Sequence, residues 1–152
     1  FLIATTVRLF QAQRLVRTLC PNCGTKHPLT GDELRRKVAA SRLAPFLDVL
    51  TGPGTVAYEP VGCPRCEHTG YYGRVAVMEM AVVNAELVGV IEARAPSREL
   101  VEMACRNGYR SMVENGIDLI RAGRTSLAEI EGISLHAAGT DEPEQPGRPQ
   151  ST

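Results

Sequence analysis

A chain of 152 residues has room for one ordinary domain or two small ones, and 43% hydrophobic with 22% charged residues is the balance of a soluble globular protein. Lys+Arg and Asp+Glu stand at 17 each, so the net charge is zero, which argues against a dedicated nucleic-acid binder, whose phosphate contacts need a basic excess. Five cysteines, an odd number with four in two tight pairs, argue against a secreted disulfide framework and for a reducing cytoplasm.

The chain opens on Phe1 with the short apolar run "FLIATTV" and its first Arg at position 8. A signal peptide places positive charge ahead of the apolar run, and a membrane span needs about 20 apolar residues. Neither pattern is present, and the expectation is a fragment cut from a larger protein, with processing or an incomplete gene model as the alternative. There is no Trp and few other aromatics, so a core must come from Leu, Val, Ile, Ala and Met.

Ile3, Val7 and Phe10 have helical spacing, which predicts a helix followed by a short extended piece into the first cysteine pair. Between the pairs, residues 29–50 look helical. Thr30 and Glu33 match a capping box, Leu34, Val38, Phe46, Leu47 and Leu50 supply an apolar face, and Pro45 should break the helix in two. "TGPG", 51–54, is a turn, and "TVAYEPV" is extended. After the second pair, "RVAVMEMAVV" from Arg74 to Val83 reads as strand. Helices follow. Asn84 caps one through Glu92, Ser97 caps one ending at Gly108, Ser111 and Glu114 box one closed by Gly123, and Ser126 and Glu129 form a third box. From Ala137 onward nothing apolar is left to bury, so residues 137–152 should be a disordered tail, with His136 exposed at its start.

Cys20-Pro-Asn-Cys23 and Cys63-Pro-Arg-Cys66 carry the chemistry. A Cys-x-x-Cys turn offers two thiolates to one side of a metal ion, and a second such turn supplies the other two for a tetrahedral zinc site. Pro21 and Pro64 stiffen the turns, and Gly24 suits a tight knuckle. The competing readings are a disulfide within each pair, a redox dithiol, and a rubredoxin-like iron site, whose knuckles "CPNCG" and "CPRCE" look similar. Against iron, the intervening segment holds only Phe46 and Tyr58 as aromatics. His27 and His68 lie beside the knuckles but are not needed once four cysteines fill the shell. Cys105 reads as a small buried residue on a helix with Leu100, Val101, Met103 and Ala104. A closed four-cysteine shell has no position for substrate, so its role is structural. The sequence contains no G-x-x-x-x-G-K-[ST], G-x-G-x-x-G, H-E-x-x-H or G-x-S-x-G segment.

Longer stretches carry a family likeness. "FLIATTVRLFQAQRLVRTLCPNC" resembles the end of the ATPase core in the bacterial type II secretion and type IV pilus assembly ATPases, with its "LIA" helix, "AQRLVR" and "LCPxC". "VGCPRCEHTGYYGRVAVMEM" is similar to that family's "GCxxCxxTGYxGRxxIxE" signature, and "ACRNGYRSMVENGIDLIRAGRTSLAEI" to its C-terminal helices. The likeness covers residues 1–133. It implies an α+β chain: 1–19 as the tail end of a RecA-like ATPase core, 20–74 as a tetracysteine zinc module with a helical insert, and 75–136 as a strand-plus-helices subdomain. Gly70 and Gly73 would let the chain turn out of the zinc module, and Arg74 would start the returning strand, as an inter-domain contact or an ordinary strand-edge residue. Arg14 and Arg17 would lie at the rim of the nucleotide domain, facing a neighbouring subunit, phosphate or solvent.

The family's Walker A loop, acidic and histidine boxes and Walker B segment would all lie upstream of residue 1, so ATP and Mg²⁺ would belong to the full-length parent. The likeness implies a homohexameric cytoplasmic motor at the inner membrane. Its partners would be its own ATPase core, the neighbouring subunits and the membrane platform protein, with no nucleic acid. A mobile helical insert with Arg35, Arg36, Lys37 and Arg42 on its polar side is the candidate contact. The alternative is a free-standing zinc-ribbon adaptor for nucleic acid, which a salt-dependent shift with single-stranded DNA or RNA would reveal.

Overall fold

A computed structural model describes residues 2–137. A short helix, α1 (Leu2–Thr6), leads into an eleven-residue strand, β1 (Leu9–Leu19). This strand pairs antiparallel with the twelve-residue β4 (Tyr71–Val82), in register from Leu9 opposite Val82 to Arg17 opposite Arg74. The helix expected through Phe10 therefore stops at Thr6. "QAQR" is made of good helix formers, but the β-branched partner strand and a ladder of paired amides override that local preference. Between Arg17 and Leu19 the register shifts, and Gly73, at φ 80°, takes the left-handed conformation that such a bulge requires. The returning strand thus begins at Tyr71, three residues before Arg74.

Everything from Cys20 to Gly70 is an excursion from this ribbon. It contains β2 (Pro28–Leu29) paired with β3 (Ala57–Tyr58), then α2 (Gly31–Ala39), a 3₁₀ turn at Ala44–Phe46 and α3 (Leu47–Leu50). Pro45 sits in the 3₁₀ turn that separates α2 from α3, where a break was expected. Thr30 occupies the N-cap position of α2, but its side chain makes no capping bond. Gly31 follows it at φ 53°, a left-handed start to the helix that glycine permits.

Past the ribbon come α4 (Ala85–Glu92), α5 (Ser97–Arg106), α6 (Met112–Arg121) and α7 (Leu127–Ala137). Asn84 Oδ1 accepts from the Leu87 amide, and Ser111 and Glu114 form the expected reciprocal box. At α5 the cap is Pro96, whose carbonyl receives the first helical amides, so Ser97 is already inside the helix. Cys105 is exposed, not buried. Only Leu100, Met103 and Ala104 of α5 turn toward its neighbours, and Cys105 falls beside that stripe. His136 lies in α7, the expected tail from Ala137 keeps only Ala137 within that helix, and residues 138–152 lie outside the described residues.

One aliphatic core spans the excursion and the C-terminal helices. Leu34, Val38, Leu43 and Leu50 are 0–1% exposed and belong to the same cluster as Ile117, Ile120, Ile130 and Ile133, with Val16 and Val77 from the ribbon. Full burial of such side chains contributes about 1.5–3 kcal/mol each. A nine-residue helix gains little stability alone, and the buried face of α2, Leu34 and Val38, shares one core cluster with residues of α6 and α7. Two glycines permit the close approach. A Cβ at Gly116 would come within 2.7 Å of the Ile130 side chain, and one at Gly123 within 3.0 Å of the Tyr58 ring. Among the described residues no helix is long and apolar enough to cross a membrane.

Candidate metal centre

Four thiols meet at the base of the ribbon. Cys20 and Cys23 follow the end of β1, and Cys63 and Cys66 precede the start of β4, so the strand pairing brings the two knuckles face to face. The Sγ atoms of Cys20 and Cys63 are 3.9 Å apart, those of Cys23 and Cys66 3.9 Å, and those of Cys63 and Cys66 3.7 Å. All four lie within 4.8 Å of one another, and each residue is 1–8% exposed. These spacings far exceed a disulfide bond of about 2.05 Å. They match the edges, about 3.8 Å, of a tetrahedron whose centre lies about 2.3 Å from each sulfur, the arm length of a zinc–thiolate bond. The donor set therefore fits a single tetrahedral ion.

The backbone is shaped around the sulfurs. Gly24 allows its own amide to donate to the Cys20 carbonyl at 2.7 Å, where a Cβ would strike that oxygen at 2.6 Å. In the second knuckle Glu67 and His68 take left-handed φ values of 51° and 62°. Gly62 is packed against the His68 carbonyl, and Gly70, at φ 78°, against Pro60. Two amides aim at the Cys66 sulfur: that of Cys63 at 3.2 Å and that of Gly70 at 3.3 Å. Left-handed non-glycine residues cost of order 1–3 kcal/mol each, and the surrounding turn must over-determine them.

The four thiols are not electrostatically alike. Asn22 Nδ2 donates to Cys63 Sγ at 3.3 Å, which, with the Cys66 contacts outweighing burial, draws that thiol down to about 6. Burial pushes Cys23 up to about 12. Burial also opposes ionisation of Cys66, but the Cys63 and Gly70 amides outweigh it and lower that thiol. Cys63 and Cys66 thus ionise more readily than an ordinary cysteine, and Cys23 less readily. A cation at the centre would supply charge that favours the thiolate forms.

His27 and His68 are exposed and stand outside the sulfur cluster. Arg14 and Arg74 are exposed on the ribbon, Arg14 opposite Val77 and Arg74 opposite Arg17. Arg17 is bound to Glu129, a partner 112 residues away that no sequence pattern announces. On α2, Lys37 pairs with Glu59 while Arg35 and Arg36 are exposed, as is Arg42 in the turn that follows. Asn22 was also missed. Its signal was local: a side-chain amide lying between the two cysteines of the first knuckle.

The family model described as "Type II/IV secretion system protein" matches residues 1–132. Type II secretion system ATPase E of Vibrio cholerae is 36% identical over 134 residues, which is 88% of this chain and 24% of that protein. Type II secretion system protein E of Aeromonas hydrophila is 35% identical over 130 residues, 86% of this chain and 24% of that one. Type IV pilus assembly ATPase PilB of Acinetobacter baylyi is 34% identical over 134 residues, 88% and 22%. The chain spans about a quarter of the length of these curated relatives. The matched span takes in both knuckles, the ribbon and the helices through Gly132, and on that extent the chain belongs to the Type II/IV secretion system protein family.

Proposed function

We propose that this chain is the zinc-braced interaction segment of a secretion or pilus-assembly motor and contributes surfaces, not catalysis. Zinc bound by Cys20, Cys23, Cys63 and Cys66 would be a folding element, since a shell of four cysteines leaves no position for substrate. The observation that carries the reading is the cluster of four sulfurs itself, with three spacings of 3.7–3.9 Å and all within 4.8 Å, in a chain whose relatives are secretion and pilus ATPases. ATP and Mg²⁺ would be bound elsewhere in the longer protein. In a homohexamer at the inner membrane, this segment would pack on its own ATPase core and on neighbouring subunits. It would also carry nucleotide-driven motion to the platform protein.

The exposed guanidiniums of Arg35, Arg36 and Arg42 are the surface to test. Lys37 is already neutralised by Glu59. Charge reversal of those three arginines to Glu in the full-length motor should leave zinc content and basal ATPase activity intact while reducing secretion or piliation. Normal secretion or piliation in that variant would remove this face as the coupling surface. The isolated chain should show no magnesium-dependent ATP hydrolysis, and measurable turnover in clean protein would contradict the division of labour.

A further inference from the structure

The segments that carry the sulfurs are tied to the last helix by a dense polar cluster. Arg17 donates to Glu129 Oε1 from Nε at 3.0 Å and from Nη2 at 2.7 Å, and its backbone N–H donates to Glu129 Oε2 at 2.7 Å. Its guanidinium lies 4.1 Å from the centre of the Tyr71 ring, and the Tyr71 hydroxyl shares a 2.8 Å hydrogen bond with Ser126 Oγ. Thr125 Oγ1 donates to the Arg17 carbonyl at 2.8 Å, and the Leu19 amide donates to the Arg124 carbonyl at 2.9 Å. Thr125 and Ser126 are 0% and 2% exposed, so both hydroxyls are desolvated and depend on these partners.

This allocation departs from what helix α7 would do alone. Ser126 and Glu129 stand at the spacing of a capping box, as Ser111 and Glu114 do at α6. Instead, Glu129 gives both oxygens to Arg17 and Ser126 gives its hydroxyl to Tyr71. The first turn of α7 is held by the ribbon. The far end of the cluster is the cage: Gly70, next to Tyr71, accepts from the Cys20 amide at 2.9 Å and donates to Cys66 Sγ at 3.3 Å. A continuous path of covalent and hydrogen bonds runs from the Cys66 sulfur through Gly70, Tyr71 and Cys20 to Arg17, Ser126 and Glu129. A lone surface ion pair contributes little. Here the pair is one member of a set that joins two buried hydroxyls, a ring stack and two backbone amides.

We infer that the Arg17–Tyr71–Ser126–Glu129 cluster couples metal occupancy of the cage to the docking of α7. Metal binding then holds the C-terminal helix, and the docked helix in turn tightens metal binding, since coupling between two sites is reciprocal. The inference rests on the zinc reading above, and the experiment separates the two. Hydrogen–deuterium exchange is measured on the reduced 152-residue protein, loaded with one equivalent of zinc and then stripped by chelator. Zinc affinity is measured in parallel by competition with a chromophoric chelator.

Stripping the wild type should speed amide exchange in residues 127–134 by about tenfold or more. In zinc-loaded Glu129→Ala, α7 should already exchange near the stripped rate. Zinc affinity in that variant should fall about fivefold or more, the lower end of typical site–site coupling. Arg17→Lys keeps the charge but loses the fork and the ring stack, and should fall between. Equal α7 protection with and without zinc overturns the coupling. Where stripping speeds exchange uniformly through α2, α6 and α7, the affinity arm decides: wild-type zinc affinity in both Glu129→Ala and Arg17→Ala overturns it. A wild-type protein that binds no zinc sinks the metal assignment itself, and the coupling with it.

Discussion

The sulfur cage and the aliphatic core are separate buried clusters, and they are held by different physics. The cage is four side chains on two turns, shaped by glycines and left-handed residues that would not be tolerated in most sequences. The core around Leu34, Val38, Ile117, Ile120 and Ile130 uses ordinary helices and non-directional packing. Directional donor chemistry concentrates its requirements at a few positions. Hydrophobic burial spreads them over many, each replaceable by a residue of similar volume. The two regions should therefore fail differently when perturbed.

The largest effect should come from the cage. Cys63→Ser, or removal of metal by chelation, should abolish stoichiometric zinc binding and lower the melting temperature more than any other change, because the binding free energy of a structural zinc contributes to folding. Calorimetry with and without chelator checks this, and an unchanged melting temperature would sink the structural role. Truncating the core should cost less and leave the metal in place. Ile120→Ala should lose about 2–5 kcal/mol by chemical denaturation while zinc content stays at one per chain. Loss of zinc from that variant would mean the two regions are one cooperative unit.

Gly70→Ala perturbs the cage while replacing none of the four cysteines. At φ 78°, with a Cβ position 2.5 Å from Pro60 Cβ, it should cost about 1–3 kcal/mol from backbone strain alone and weaken zinc binding as well. The smallest effect lies far from the cage. Burial pushes the Tyr109 phenol up to about 12, and its bond to Glu79 adds to the shift. The proton is held more tightly in the folded state than in the unfolded one, where the phenol titrates near 10. That stabilisation is complete below pH about 10 and is lost as pH rises toward 12. Tyr109→Phe should flatten this decline in stability without shifting the midpoint of the cage variants.

The same contrast explains what could be read from the chain. The clustering of the four cysteines was legible because Cys-x-x-Cys spacing is local and two such pairs suit one tetrahedral donor set. The strand after the second pair, the Asn84 cap and the Ser111–Glu114 box were legible for the same local reason. The strand β1 was not, because its partner begins more than fifty residues later and its own residues favour helix. The docking of the insert escaped too. An apolar helix face shows that something covers it, but not that it joins one cluster with Ile117 and Ile130. Cys105 was misplaced by reading a whole helix as buried when only one stripe of α5 meets its neighbours. Arg17 and Glu129 looked like a rim residue and a capping residue; only the folded chain makes them partners.

Four sulfurs sharing one ion would brace both knuckles at once. X-ray absorption at the zinc edge, on reduced protein after metal content has been measured, tests this most directly. One zinc per chain with four sulfur neighbours at about 2.3 Å is the predicted result. A shell containing nitrogen or oxygen in place of one of the four sulfurs, or protein that retains no metal when prepared reduced, would contradict it.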